Sequence, residues 1–396
     1  MTGRFYIAGE KEILEGGTTD VYFANTMQVL ESTGTTGVQV VAEFTLGNFP
    51  RDWRWGIFAG LEEVIHLLEG KDVTLYSLPE GTVFRHRTQQ RGVRVPVMVI
   101  EGAYGNFCVY ETPALGLICH SSGIATMAAR CRIAAKDRVL ISFGIRRMHP
   151  ALSPMIDRYA FIGGCDAVSS LSGAKAIGEK PKGTMPHALI ITLGDQTRAF
   201  QAFDRFVDRN VSRIALVDTY CDEKMEALMA CKAIKNLVGV RLDTPGSRRG
   251  SFKEIVQEVR WEMDIRGYQD VKIVVSGGIN DQSIPELRDA GVWGFGVGTS
   301  ISNAPTIDFA MDIVEKEGEP AAKRGKFGGK KHLYHCPTCH EFEVSRLEEK
   351  IKCTHCGKQM EPALKKYLDH GKTVEKLPTV QEIRNYVLSQ LEGLEL

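Results

Sequence analysis

From Val139 to Ser300 the chain alternates short apolar runs with amphipathic segments, and this alternation constrains the fold more than any other feature. "RVLISFGI", "RIALVDTY", "VGVRLDTP", "VKIVVSGG" and "FGVGTSIS" have the length and β-branched content of buried strands. Between them, "CDEKMEALMACKAI", "SFKEIVQEVRWEMDI" and "SIPELRDAG" carry apolar residues at helical spacing. Such repetition predicts parallel strands joined by right-handed crossovers. The runs end in polar, charged or glycine residues: Arg146, Asp166, Asp218, Arg241, Asp243, Gly277 and Thr299. Gathered at consecutive C-terminal strand edges, these describe a barrel mouth. An open doubly wound sheet would gather its ligand at the same edges, so the pattern favours a barrel without closing it.

The flanks differ. Residues 1–115 are strand-rich, with "GVQVVAEFTL" and "RVPVMVIEGAYGNFCVY" as β-branched runs and "IFAGLEEVIHLLEG" as a helical interruption. "ICHSSGIATMAARCRIAA" reads as a long helix opening the next region, with Ser121 or Ser122 as its N-cap. Residues 116–305 hold the repeating pattern, and residues 306–396 form a C-terminal extension. That extension begins with "KEGEPAAKRGKFGGKKH", which reads as an exposed connection, and ends in a helical tail, "VQEIRNYVLSQLEGL". The 49 basic and 49 acidic residues balance, which leaves no global field for nucleic acid or anionic lipid. With neither a leader nor a bilayer-length apolar run, the expected location is cytoplasmic.

Five stretches carry chemistry. "VSGGIN" and "GVGTS" end the last two strands in glycine, where backbone N–H groups converge on an anion, and such a pair forms a phosphate cup in β/α barrels. "LVDTY" and "VRLDTP" place Asp218 and Asp243 at strand ends, where carboxylates hold Mg²⁺ or accept from sugar hydroxyls; helix capping is the plainer alternative. Arg241 shares the strand face of Asp243 and suits an anion. "ISFGIRR" combines the flat Phe143 with Arg146 and Arg147, a set that fits a small aromatic acid as well as it fits a core ring beside two solvated arginines.

In the same order along the chain, "TTDVYFANTM", "FGIRR", "GGCDAVSS", "GTMPHALI", "DTY", "LDTPGS", "SGGI" and "GTS" resemble the motifs of the nicotinate phosphoribosyltransferases, from about Thr18 to Ser300. The resemblance implies a type II phosphoribosyltransferase fold: a β-rich α+β sandwich domain followed by an irregular α/β barrel. It implies transfer of a 5-phosphoribosyl group from phosphoribosyl pyrophosphate to nicotinate, giving nicotinate mononucleotide and pyrophosphate in NAD salvage, coupled to ATP hydrolysis. By the same resemblance, Gly277, Gly278, Gly298 and Thr299 would cradle the 5′-phosphate, and Arg241 would contact anionic groups. Asp218 and Asp243 would serve the ribose hydroxyls or Mg-pyrophosphate. Phe143 and Tyr22 would sandwich the pyridine ring, with Tyr22 arriving from the neighbouring subunit of a homodimer. Arg146 or Arg147 would meet the carboxylate, Asp166 would lie near the ring, and His187 would accept phosphate from ATP. Relatives acting on quinolinate or nicotinamide are the nearest alternatives: quinolinate asks for a larger basic cluster, and neutral nicotinamide would leave an arginine unpaired.

"YHCPTCHEFEVSRLEEKIKCTHCGK" departs from most of that family. Cys336, Cys339, Cys353 and Cys356 have the spacing of a structural Zn²⁺ site with no open position. The mixed charge and lack of a stacking platform argue against a nucleic-acid-binding ribbon, leaving a small zinc-ribbon module as a structural staple.

Overall fold

In the computed structural model, which describes residues 5–396, the chain forms two compact units. One takes residues 1–126 together with 305–392, and the other takes residues 127–304 with the last four. The three consecutive segments read from the sequence therefore reduce to two units. The cause is pairing: Phe309–Lys316 adds antiparallel to Gln39–Leu46, so the extension completes the N-terminal sheet.

That sheet is antiparallel and seven-stranded. Its order is Glu319–Pro320, Phe309–Lys316, Gln39–Leu46, Pro96–Ala103, Val73–Ser77, Lys365–Asp369 and Lys372–Thr373. The Lys- and Gly-rich connection is largely exposed, as read, but three of its lysines anchor it on the sheet. Lys331 pairs with Glu43 at 2.9 Å, and Lys323 and Lys326 pair with Asp312. Glu43 and Asp312 are buried on adjacent strands, and two buried carboxylates at that distance require counter-ions. The long helix runs over Glu111–Ala135, so it starts well before a cap at Ser121 or Ser122 would start it. Ser121 and Ser122 are inside it and buried, and the Ser122 hydroxyl meets the Ala59 N–H at 3.0 Å. Pro113 in the first turn is where a helix tolerates proline, since the first N–H groups have no helical partner.

The second unit holds six parallel strands: β1 (Val139–Ser142), β2 (Ala167–Val168), β3 (Ile214–Leu216), β4 (Gly239–Leu242), β5 (Lys272–Ser276) and β6 (Gly294–Val297). Their spatial order is β2-β1-β6-β5-β4-β3. The first strand pairs in parallel with the last, Val139 opposite Gly294, which is how a barrel closes. Among the described residues no ladder joins β2 to β3, so the barrel is irregular. The residues of β3, β4 and β6 are all buried, as expected for barrel strands covered on both faces. The connection between β2 and β3 carries three helices, Leu171–Ala176, His187–Leu193 and Gln196–Phe206.

Candidate active site at the barrel mouth

The functional side chains follow the strands in turn. Phe143 follows β1, Ser169 follows β2, Asp218 lies two residues past β3, Asp243 follows β4, Gly277 follows β5 and Gly298 follows β6. A cavity of about 540 Å³ opens there. Its wall includes Phe143, Arg146, Arg147, His187, Arg241, Asp243, Gly277, Gly278, Gly298 and Thr299. The alternation that predicts the strands thus brings ten of the expected residues to one place.

Local sequence explains several placements. Phe143 lies against Gly296, where an added Cβ would come 2.4 Å from the ring, so this glycine is what admits the phenylalanine. Arg146 and Arg147 occupy a short 3-10 turn and are exposed. Gly277 and Gly278 both have left-handed backbones, with φ of 82° and 74°, a conformation that L side chains resist. The Ser142 hydroxyl, just before Phe143, donates to the buried Asp157 at 3.0 Å, and Ser170 after β2 donates to its other oxygen. Asp157 thereby ties the ends of two adjacent strands, and its burial raises its carboxyl above the usual range.

Arg241 is almost fully buried and committed. Its Nε donates to Thr184 Oγ1 at 2.8 Å, Nη1 to Ser276 Oγ at 2.9 Å, and Nη2 to the Met185 carbonyl at 3.0 Å. Nη1 also lies 3.2 Å from Asp243 Oδ2, while Ser276 donates to Asp243 Oδ1 at 2.7 Å. Asp218 stands behind the wall rather than in it. Its Oδ2 accepts from the Asp243 N–H at 2.6 Å and from Thr244 at 3.1 Å, and its Oδ1 is buried with no hydrogen-bond partner. Burial pushes the Asp218 carboxyl up, opposed by the Asp243 N–H and by His187. His187 opens its short helix with Nε2 3.7 Å from Asp218 Oδ1 and 4.0 Å from Asp243 Oδ2. Its Nδ1 lies 3.1 Å from Thr219 Oγ1. An orphaned, desolvated carboxylate oxygen beside a second carboxylate fits a hard divalent cation, so Asp218 and Asp243 would hold Mg²⁺ if it enters with substrate.

Besides Asp218, two expected residues are not brought to the cavity. Asp166 precedes β2, at the N-terminal edge of the barrel. Its backbone bonds to the Leu140 carbonyl, and its side chain accepts from the Leu140 N–H at 2.9 Å and pairs with Arg132. Tyr22 belongs to the other unit, on the helix Val21–Thr33, and is 57% exposed. Sequence reasoning also missed Arg249, which donates to the Gly277 carbonyl at 3.1 Å while stacked 4.2 Å from the Phe252 ring centre.

The four cysteines form the second constellation. Their Sγ atoms all lie within 4.8 Å of one another, with separations of 3.4, 3.4 and 3.8 Å among the closest. A tetrahedral zinc with bonds of about 2.3 Å needs sulfur–sulfur edges of about 3.8 Å, so the set fits. The two Cys-x-x-Cys turns are copies of each other. Cys336 N–H bonds to the Glu341 carbonyl and Cys353 N–H to the Lys358 carbonyl, both at 2.8 Å. His340 and Gly357 take left-handed backbones at the equivalent position. The ribbon grips the hairpin Arg85–Arg94. Gln89 N–H bonds to the Phe342 carbonyl at 3.3 Å, Gln90 N–H to Glu343 at 3.0 Å, and the Arg91 guanidinium to the Val344 carbonyl at 3.3 Å. Arg85 pairs with Glu341 at 2.9 Å, and Thr354 donates to Gln89 at 2.6 Å.

Comparison with known proteins agrees with this layout. Residues 20–122 match the family model of the quinolinate phosphoribosyl transferase N-terminal domain, and residues 124–312 that of its C-terminal domain. Residues 337–396 match the nicotinate phosphoribosyltransferase C-terminal domain. A solved structure from Pyrococcus furiosus, described as a nicotinate-nucleotide pyrophosphorylase, is 50% identical, covers 100% of both chains and superposes with a TM-score of 0.95. The chain belongs to the type II phosphoribosyltransferase family. Human nicotinic acid phosphoribosyltransferase shares the family fold at 19% identity and a TM-score of 0.73, over 95% of this chain and 94% of that one. A nicotinate phosphoribosyltransferase of Mycobacterium tuberculosis is 31% identical over 60% of this chain, a match that spans about half (54%) of the relative's own length. Among the described residues no helix is long and apolar enough to cross a membrane.

Proposed function

We propose that this family member is a nicotinate phosphoribosyltransferase that joins nicotinate to the ribosyl carbon of phosphoribosyl pyrophosphate, releasing pyrophosphate, and couples the reaction to ATP hydrolysis. One observation carries the reading: a single cavity combines an aromatic ring and two arginines with a paired-glycine anion cup and Asp243. Phe143 would stack on the pyridine ring, and Arg146 or Arg147 would take its single carboxylate in a charge-assisted fork. Gly277, Gly278, Gly298 and Thr299 would direct backbone and hydroxyl donors at the 5′-phosphate. The pyridine nitrogen is already nucleophilic, so the residues orient the two substrates rather than abstract a proton. As pyrophosphate leaves, the ribosyl centre becomes oxocarbenium-like, and the Asp243 carboxylate stabilises that charge. Mg²⁺, held by Asp218 and Asp243, would offset the leaving charge.

His187 would accept the γ-phosphoryl group of ATP. A ring nitrogen forms the P–N bond as the bond to the β–γ bridging oxygen breaks and ADP departs, and water later cleaves the phosphohistidine. Zn²⁺ would sit in the four-cysteine ribbon as a structural ion. Tyr22, exposed on its helix, would complete the neighbouring site of a homodimer, and the scattered free thiols suit the cytosol. The names of the two larger matched domains favour quinolinate as the second reading. Against it, Arg241 is already committed within the protein, leaving Arg146 and Arg147 as the remaining arginines among the described residues of the cavity wall for two ring carboxylates.

Nicotinate, nicotinamide and quinolinate, each supplied with phosphoribosyl pyrophosphate, Mg²⁺ and with or without ATP, test the proposal. Turnover of nicotinate alone, accelerated by ATP, is the expected result. Preferential turnover of quinolinate with release of CO₂ would replace it with the second reading.

A further inference from the structure

The His187 imidazole is addressed from two sides. Nε2 faces oxygens of Asp218 and Asp243, at 3.7 and 4.0 Å, and carboxylates accept. We therefore assign the ring proton to Nε2 and the lone pair to Nδ1. The Thr219 hydroxyl, 3.1 Å from Nδ1, can then donate to that lone pair. Ring orientation and tautomer both depend on where Thr219 stands.

Thr219 belongs to the short loop between β3 and the helix Glu223–Ala233. Three successive N–H groups of this loop converge on one side chain. Glu226 Oε2 accepts from Thr219 at 2.8 Å, and Oε1 accepts from Tyr220 at 2.6 Å and Cys221 at 2.8 Å. Glu226 is fully buried, a costly place for a carboxylate unless several donors are fixed on it. Helix capping does not account for it, because Asp222 already caps this helix by accepting from Met225 N–H at 2.9 Å. Glu226 is absent from the cavity wall. Its carboxylate instead dictates the path of the loop that carries the hydroxyl facing His187.

We propose that Glu226 is the positioning residue of the His187 imidazole. It fixes the loop 219–221 and, through the Thr219 hydroxyl, holds the ring in the Nε2–H tautomer with Nδ1 as the nucleophilic nitrogen. This rests on the reading of His187 as the phosphate acceptor. In the step it serves, the Thr219 hydroxyl turns away from Nδ1, the freed Nδ1 lone pair forms the bond to the γ-phosphorus, ADP leaves with the bridging oxygen, and the Nε2 proton stays on the ring.

Three variants of the full chain test it. Glu226→Gln keeps the size but turns one accepting oxygen into an NH₂ group. Its remaining oxygen can serve Tyr220 and Cys221, which already share one, so the NH₂ opposes the Thr219 N–H, donor against donor. Thr219→Val removes only the hydroxyl, and Thr219→Ser keeps it. The readouts are the imidazole ¹⁵N shifts of His187 in histidine-labelled protein, assigned with His187→Ala, and the ratio of turnover with and without ATP. The parent and Thr219→Ser should show one Nε2–H tautomer. Glu226→Gln and Thr219→Val should show averaged nitrogens and an ATP ratio lowered about ten- to a hundredfold, the range found when a partner that orients a metal-ligating histidine is removed.

Parent-like shifts and ratio in folded Glu226→Gln would overturn the proposal, as would failure of Thr219→Ser to behave like the parent. Should Glu226→Gln not fold, the Thr219 pair decides by the same criteria. If the parent itself shows neither ATP stimulation nor phosphohistidine, the phosphate-acceptor reading falls. The nitrogen shifts still decide separately whether Glu226 positions the ring.

Discussion

Stripping zinc from the ribbon should release a hairpin some 250 residues earlier in the sequence, and the size of the effect can be worked from the contacts. The ribbon's buried cluster is Tyr334, Cys336, Cys353 and Met360, so half of it consists of the cysteines proposed to hold zinc. A core this small does not fold itself, and the metal must supply the folding energy. The hairpin Arg85–Arg94 is held to the ribbon by five polar contacts, three of them to the strand Phe342–Ser345. At about 0.5–1.5 kcal/mol net for each, their sum is about 2.5–7.5 kcal/mol. Arg85 is one-third exposed and Thr354 lies at the surface, so we take the low end, about 3 kcal/mol. One decade per 1.4 kcal/mol then gives amide exchange about a hundredfold faster in the hairpin. The assay is hydrogen–deuterium exchange by mass spectrometry on the full chain, with and without chelation and on a Cys339→Ser, Cys356→Ser double variant. Metal analysis should find about one zinc per parent chain and none in the variant. Peptides from β4, β5 and β6 serve as the internal control. If zinc is gone and residues 85–94 exchange at the parent rate, the ribbon is not what holds them.

Three shorter expectations concern particular residues. Gly296→Ala drives a Cβ to 2.4 Å from Phe143, so the ring must move; overpacking of this kind costs about 1–3 kcal/mol, and the KM for nicotinate should rise more than that for phosphoribosyl pyrophosphate. Asp166→Asn should lower the melting temperature through the lost Arg132 pair while leaving the KM for nicotinate at the parent value, and a raised KM would return Asp166 to the site. Glu111 has its carboxyl pushed from 4.5 up to about 7, by burial first, then by Asp312, against Lys323. A carboxyl with a raised folded-state pKa binds its proton more tightly when folded, so stability is greatest at low pH and is lost as pH rises from about 4.5 through 7. Glu111→Gln should therefore stabilise at pH 8 by about 1–2 kcal/mol after discounting for solvent, with little gain at pH 4.5, as read from chemical unfolding at the two pH values.

What could be read from the sequence was what depends on periodicity. Phe143, Asp243, Gly277 and Gly298 each stand directly after an apolar run, and a run of three or four buried residues announces both the strand and its end. Asp166 was misplaced for the same physical reason, because its strand, Ala167–Val168, has two residues and no period to read. The run "KRGKFGG" reads as solvated because lysine is normally exposed. It is indeed largely exposed; what the sequence hides is the pairing of Lys323 and Lys326 with Asp312, which lies 269 positions from Glu43 and becomes its neighbour only in the folded sheet. Glu226 looks like one more acidic residue on a charged helix. What distinguishes it is that three loop N–H groups turn toward it, and that direction is set by where β3 ends rather than by any residue type. Side chains that line the cavity are announced by the strand ends that carry them, whereas those that hold the lining in place are identified only by the hydrogen bonds they accept. In this family the second group should therefore vary in identity more freely than the first, so long as the loop 219–221 keeps an acceptor behind it.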